Sequence, residues 1–482
     1  MFIGIDLGTS GIKAIVLNSA GDILASETVS LTVSKPKPLW SEQNPEDWWN
    51  ATCEAMCGLG RQIDLSNIEA IGLAGQMHGA VLLDNKGDVL RPAILWNDGR
   101  STEECREIEE MIPCSREITG NMMMPGFTAP KLLWVKKNEP EIFEQVDKVL
   151  LPKDYIRYKM TGDFACDMSD AAGTMWLDVG RRDWNDELLE STGLDLSNMP
   201  TLFEGTQVTG SVLPEIAKIW GMPCAPVVAG AGDNAAGAIG VGVIKPGQAM
   251  LSLGTSGVYF AVSDKFMSAP DNALHSFCHA IPNVWHTMSV TLSAASCLAW
   301  FAKQHDTSVV EIIGEAQSLD KETSIIFLPY LSGERTPHND PIIKGVFYGM
   351  TEKTSRAELA KAVLEGVSFA LADGLDTLHE ASDVPNEIML IGGGARSVYW
   401  RQMLANVTGV TLNYRDGGDI GPALGAARLA QIGVNKDCSV EDVCPLPALV
   451  ETYTPDEERY AQYLMKRASF KELYLRLKGF KG

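Results

Sequence analysis

Basic residues are scarce in this chain. Lys and Arg number 40 against 62 Asp and Glu in 482 residues, a formal charge of −22. A field of that sign repels nucleic acid and anionic lipid surfaces, so neither is expected as a partner. No run of 18 apolar residues occurs, so no membrane span is expected. None of the ten cysteines forms a Cys-x-x-Cys pair. Ten in a chain of this length is far from a disulfide scaffold, and reduced thiols in a cytoplasm are expected. The first residues, MFIGIDLGTSG, lack a basic stretch and carry Asp6 where a signal peptide would be apolar. A P-loop, G-x-x-x-x-G-K-[ST], is absent too. With 45% apolar and 21% charged residues, the composition also excludes a disordered chain. Its length implies two or three domains.

What the sequence does have is an internal repeat. Residues 5–16 read IDLGTSGIKAIV and residues 251–262 read LSLGTSGVYFAV, identical at six of twelve positions. The offset of 246 residues is close to half the chain, which points to duplication. Each copy reads as strand, Gly-Thr-Ser-Gly turn, strand. A third strand is expected at Ile23-Leu24. Exposed backbone N–H groups at such turns make a concavity for phosphate oxygens. Two of them facing each other would hold a polyphosphate. The boundary between the halves falls at Lys245-Pro246-Gly247, which gives segments 1–245 and 246–482.

Helix and strand signals alternate through both halves, so the class is α/β, and the hairpins at the repeats exclude an all-parallel sheet. Asn44-Pro45 starts one helix. Ser355 and Glu358 form a capping box for another across 355–380. The strand Ile388–Ile391 runs into Gly392-Gly393-Gly394, with a helix expected from Ala395.

Several polar groups stand among small or apolar residues. Asp6 ends a strand beside the first turn, where the second copy has Ser252. It is expensive to bury unless paired, either with Mg²⁺ or with the turn backbone as an Asx cap. Asp233 sits in AGAGDNAAGAIGVG, residues 229–242, either as a helix N-cap or as a cleft carboxylate able to act as general base. Gln76, Met77 and His78 lie between Gly75 and Gly79. They form a plain turn or a contact for a ligand with several hydroxyls. Trp96-Asn97-Asp98-Gly99-Arg100 adds a second polar cluster. Gly392–Ala395 suits a nucleotide at a helix start. Ser397 replaces the third glycine of G-x-G-x-x-G, which argues against a dehydrogenase. His275 and His279 lie too far apart on one strand to share a zinc ion.

These segments together resemble the FGGY sugar kinases of the actin/hexokinase-like ATPase superfamily. Phe2–Lys13 and Leu251–Gly257 are similar to the family's two phosphate segments, and Ile391–Ser397 to its adenosine segment. GFTAPKLLW at 126–134 resembles one family signature. GVFYGM at 345–350, continued at Glu358-Leu359 and Ala362–Glu365, resembles another. The resemblance implies two ribonuclease-H-like domains related by duplication, with an interdomain cleft. It implies ATP and Mg²⁺ as cofactors. Gly8, Thr9, Ser10, Gly254, Thr255, Ser256, Gly392, Gly393, Gly394 and Ala395 would lie on the nucleotide, and Asp6 and Asp233 on the metal. GQMHG, LWNDGR and GAGDNAAG resemble the members that act on D-xylulose. That implies transfer to its 5-hydroxyl, with Asp233 as base and Gln76, Met77, His78 and Asn234 on the sugar. A homodimer is implied as well. The rivals are a family member acting on ribulose, fuculose or gluconate, and a sugar sensor or chaperone-like ATPase with no acceptor.

Overall fold

A computed structural model of the chain describes residues 1–480 apart from 320–321, 383, 386, 417–420 and 436. The first repeat opens a sheet. Strands β1 (Phe2–Leu7), β2 (Gly11–Leu17) and β3 (Ile23–Ser30) form an antiparallel meander. Strands β4 (Ala70–Gly75) and β5 (Pro226–Val228) then add in parallel beside β1, giving the order β3-β2-β1-β4-β5. The second repeat builds the same arrangement. Strands β6 (Gln248–Leu253) and β7 (Gly257–Ser263) form its hairpin, and β8 (His275–Cys278) pairs with β9 (Trp285–Thr291) at the outer edge. With β10 (Glu387–Ile391) and β11 (Leu412–Arg415) the order is β8-β9-β7-β6-β10-β11. Apart from β8, each strand of the second sheet has its counterpart in the first. This is the duplicated two-domain α/β fold of actin and hexokinase type.

Both faces of the first sheet are covered, which is why β1 is apolar almost throughout. On one face Ile3, Ile5 and Leu7 pack with Trp48, Ala55 and Leu59 of helix α1 (Pro45–Gln62). Asn44 caps that helix by accepting from the Glu46 N–H. On the other face Phe2, Ile15 and Ala74 pack with Ala423, Ala426 and Ala427. Those alanines belong to a helix of the second segment, Pro422–Val434. The exchange is mutual. Helix α2 (Asp233–Gly240) carries Ala238 into a cluster with Met250, Phe260 and Met389 of the second sheet. Helix α3 (Arg356–Ala381) has the expected Ser355–Glu358 capping box.

After Gly392 the chain departs from expectation. Gly393–Arg396 is a 3₁₀ turn, and helix α4 starts at Val398, not Ala395, running to Thr408. Ser397 is its cap, accepting from the Trp400 N–H. That hydroxyl satisfies a helix-start donor which Ala395 could not. Strand β3 is also longer than the Ile23-Leu24 pair.

The helix Pro422–Val434, now α5, lies so close to its neighbours that several contacts require glycine, among them those of Gly72 and Gly425. A Cβ on Gly72 of β4 would come within 1.9 Å of the Ala426 carbonyl oxygen. A Cβ on Gly425 of α5 would come within 1.8 Å of the Ala236 carbonyl oxygen of α2. The obstacles are backbone atoms and cannot rotate away. Gly425→Val is therefore expected to destabilise the fold by about 3 kcal/mol or more, read from the urea midpoint. Among the described residues no helix is long and apolar enough to cross a membrane.

Candidate active site

The first Gly-Thr-Ser-Gly turn links β1 to β2 and is braced from behind. The Thr9 hydroxyl donates to Gln76 Oε1 at 2.8 Å and accepts from Trp96 Nε1 at 3.0 Å. Gln43 Nε2 donates to the Thr9 carbonyl, and Gln76 Nε2 donates to Gln43 Oε1. Both ends of the Gln76 side chain are thus taken, and it is 2% exposed. Gln76 was expected on the sugar; the structure sets it behind the turn instead. A primary amide there can receive the Thr9 hydroxyl while donating onward, which an apolar residue could not do.

Two carboxylates converge where β1 and α2 meet. Asp6 Oδ1 is buried with no hydrogen-bond partner. Burial, with the charge of Asp233 next, pushes the Asp6 carboxyl up to about 7. Asp233 is the first residue of α2. Burial raises it to about 6, while the Asn234 N–H and side-chain amide, both donating to Oδ1, hold it down. An orphaned carboxylate oxygen facing a second acid suits a hard divalent cation, so the pair fits Mg²⁺.

Asp233 lines a cavity of about 260 Å³ between the two halves. Met77, His78 and Asn234 line it too, and Ser256 reaches it from the second turn. His78 has a φ of +70°, which turns its side chain off the end of β4. Its Nδ1 lies 2.8 Å from the Gly173 carbonyl, a contact that requires the proton on Nδ1. Burial and the charge of Lys131 push the ring down to about 3, so it stays neutral. Nε2 is then an acceptor, matched to a hydroxyl donor. Lys131 holds this turn by donating to the carbonyls of His78 and Gly126, both at 2.7 Å. Burial pulls its ammonium down to about 7. The signal for Lys131 was a lone charge within the apolar run of GFTAPKLLW.

Of the rest of the lining, Trp96, Phe127 and His275 lie in segments singled out in the sequence, though none was assigned to the sugar. Trp96, Phe127, His275, Phe277 and Arg335 face the cavity. His275 and Phe277 alternate on β8, so one face of that edge strand looks inward. His275 and His279 each have a polar partner for a ring nitrogen. Their rings face the Asn121 side chain and the Val243 carbonyl, and no cluster of three ligating side chains exists among the described residues.

A second cavity of about 740 Å³ lies beyond the second turn. Gly254, Thr255, Gly393 and Gly394 line it, joined by Ser296, Arg396 and the apolar Val309, Val310 and Ile313. Ala395 is fully buried behind it. The second turn thus separates the cavities, presenting Ser256 to one and Gly254 and Thr255 to the other. It is fixed by the start of the helix Ala295–Gln304: the Ala295 N–H donates to Gly254 O, and the Ser296 hydroxyl to Thr255 O. One compartment suits a small polyol, the other a larger ligand with an apolar ring and phosphates.

Residues 1–240 match the model of the FGGY family of carbohydrate kinases, N-terminal domain. Residues 249–434 match that of its C-terminal domain. The chain is 61% identical to a xylulose kinase of Escherichia coli (strain K12), over 99% of each chain. It is 59% identical to a xylulose kinase of Klebsiella pneumoniae, also over 99% of each. Among solved structures it resembles a xyloylose kinase from Brucella ovis at 44% identity, with a TM-score of 0.95 and complete coverage of both chains. The duplicated sheets, the paired turns and these matches agree: the chain belongs to the FGGY family of carbohydrate kinases.

Proposed function

We propose that this kinase transfers the γ-phosphoryl group of ATP to the 5-hydroxyl of D-xylulose. The observation that carries this reading is Asp233, a carboxylate at the wall of a cavity of about 260 Å³ lined from both halves. In this reading the segments 1–245 and 246–482 each bring one Gly-Thr-Ser-Gly turn to the substrates, and the exchanged helices join the two. The sugar occupies the smaller cavity, where His78 Nε2 accepts from one of its hydroxyls and Asn234 lies beside the reacting end. The adenosine occupies the larger cavity, and the two turns hold the phosphates through backbone N–H groups.

Asp233 accepts the proton of the 5-hydroxyl as that oxygen attacks the γ-phosphorus and the bond to the β-phosphate oxygen breaks. Asp6 and Asp233 would hold Mg²⁺. When bound, the ion supplies positive charge beside the phosphates, which a protein this acidic otherwise lacks there. The ten free cysteines suit the reducing cytoplasm in which we place the enzyme.

The test is ADP release from ATP with a panel of acceptors: D-xylulose, ribulose, fuculose and gluconate. The highest kcat/KM is expected with D-xylulose. A rate indifferent to every sugar would instead mark a sensor or chaperone-like ATPase. Asp6→Asn is expected to raise the Mg²⁺ concentration for half-maximal rate at least about tenfold. An unchanged Mg²⁺ titration would remove Asp6 from the metal.

A further inference from the structure

Arg335 is the cation of the smaller cavity that the reading above leaves without a task. It follows Glu334 in the loop SGERTPH, whose Thr336-Pro337 bond is cis. The loop is pinned to the second sheet: the Thr336 N–H donates to the Val290 carbonyl, and the Leu292 N–H donates to Glu334 Oε1. The guanidinium lines the cavity wall. Of its five N–H donors, one is engaged among the described residues, Nη1 with His275 Nε2 at 3.3 Å. No carboxylate lies in ion-pair range of it among those residues.

Its place in the cavity follows from what it touches and influences. Its charge is felt at His78, His275 and the preceding Glu334. The field at Asp233 comes from burial and Asn234, and that at Asp6 from burial, Asp233 and Lys13. The contact of its Nη1 with His275 Nε2 sets Arg335 at the histidine end of the cavity. The ring contacts agree. His275 stacks on Phe277, with centroids 5.7 Å apart, and Phe127 lies edge-on to both His275 and His78.

The donor pattern at this end is one-sided. His275 Nδ1 faces Asn121 Oδ1, an oxygen that also accepts from the Ser276 N–H. That makes Nδ1 the protonated nitrogen and spends Nε2 as the acceptor from Arg335. What Arg335 brings to the cavity is then a fork of unspent N–H donors, and among the described residues the acceptor on the histidine side is His78 Nε2 alone. A carbonyl oxygen is an acceptor only and suits such a fork. A hydroxyl in its place would carry a proton that competes with the adjacent hydroxyl for the one acceptor on this side, His78 Nε2.

We infer that Arg335 is a specificity-determining residue that reads the carbonyl end of the acceptor, remote from the transferred phosphoryl group, and so selects ketoses over the corresponding alditols. This rests on the kinase reading above. When the terminal hydroxyl meets Asp233, the other end of a 2-ketopentose brings its C2 carbonyl and C1 hydroxyl to Arg335. The planar fork matches two adjacent oxygens better than a lysine could.

The experiment measures kcat and KM for D-xylulose and for xylitol, with wild type, Arg335→Met and Arg335→Lys. ADP binding by calorimetry checks that each variant is folded. For Arg335→Met, KM for the ketose is expected to rise about 10² while kcat changes little, and the ketose-to-alditol ratio of kcat/KM is expected to collapse toward one. Arg335→Lys should fall between, and it decides the matter should the methionine variant bind no ADP. An unchanged ratio overturns the proposal. So does a fall in kcat at constant KM, which would put Arg335 on the transferring phosphoryl. If D-xylulose stimulates the wild type but the ratio does not respond to Arg335, this inference fails alone. If neither acceptor stimulates the wild type, the kinase reading fails and this one with it.

Discussion

Replacing Asp233 by Asn is expected to lower kcat by about 10²–10⁴ while sugar binding persists. The amide keeps the shape of the side chain and its place at the first residue of α2, but it cannot accept the proton that the 5-hydroxyl must lose. Sugar affinity rests on other groups, among them His78 Nε2 and the apolar wall of Met77 and Phe127. The two effects should therefore separate, with KM nearly constant and kcat collapsed. A pH signature accompanies this. The free carboxyl is held up at about 6, and only its ionised form is a base. The wild-type kcat/KM should fall as pH drops through that region, and the Asn variant should lack this limb. Steady-state kinetics with calorimetric sugar titration checks both points. A variant within tenfold of the wild-type kcat would remove Asp233 from proton transfer.

The sequence made the architecture legible through its repeat. Two identical turns flanked by apolar strands implied duplicated sheets, and the strand orders bear this out. The resemblance added the partners of each turn. What periodicity could not reveal was the exchange of helices. α5 looks like an ordinary apolar helix following β11, and nothing local marks its partner as the first sheet rather than the second. The information lies in Gly72 and Gly425, which make sense only once their backbone neighbours are known.

The site was half legible for a related reason. Asp6, Met77, His78, Asp233 and Asn234 stand out because each polar or bulky group interrupts small residues at a strand or helix end. Gln76 shares that pattern, yet it turns backward onto Thr9, since a residue at the end of β4 can face either side of the sheet. The wall from the second half was missed. His275, Phe277 and Arg335 lie on an edge strand and a long loop, 42 to 102 residues after Asp233, and only the closure of the halves brings them to it. Ser397 was weighed only as an absent glycine, and its part as the cap of α4 went unseen.

Lys153→Met is expected to destabilise the protein by about 3–5 kcal/mol at neutral pH, among the largest losses for any single side chain. Lys153 lies on the helix Pro152–Thr161, wholly buried behind β4. Its Nζ touches Asp154 Oδ1 at 2.6 Å, Asp167 Oδ1 at 2.7 Å and Asp170 Oδ2 at 3.3 Å, all equally buried. Together the three acids hold the ammonium well above its usual range, although burial alone would pull it down. Burial in turn drives Asp170 well up, even with Lys153 opposing it. Without the lysine, three carboxylates share a dry site with Arg157 as their remaining cation, 3.7 Å from Asp154. They can be accommodated only by taking up protons, so the folded variant binds more protons than its unfolded chain and its stability falls as pH rises. The gap from wild type should therefore narrow in acid and widen toward neutrality, measured by urea unfolding at a series of pH values. Activity should fall too, because the cluster backs the turn that carries the base: Ser169 donates to Asp167 and accepts from the Gly232 N–H. Adding Asp167→Asn removes one stranded charge while an amide oxygen remains to receive Ser169, so the double variant should recover part of the loss. A single variant that loses less than about 1 kcal/mol at neutral pH would mean that the acids already carry their own protons, and that the lysine offsets little of their charge.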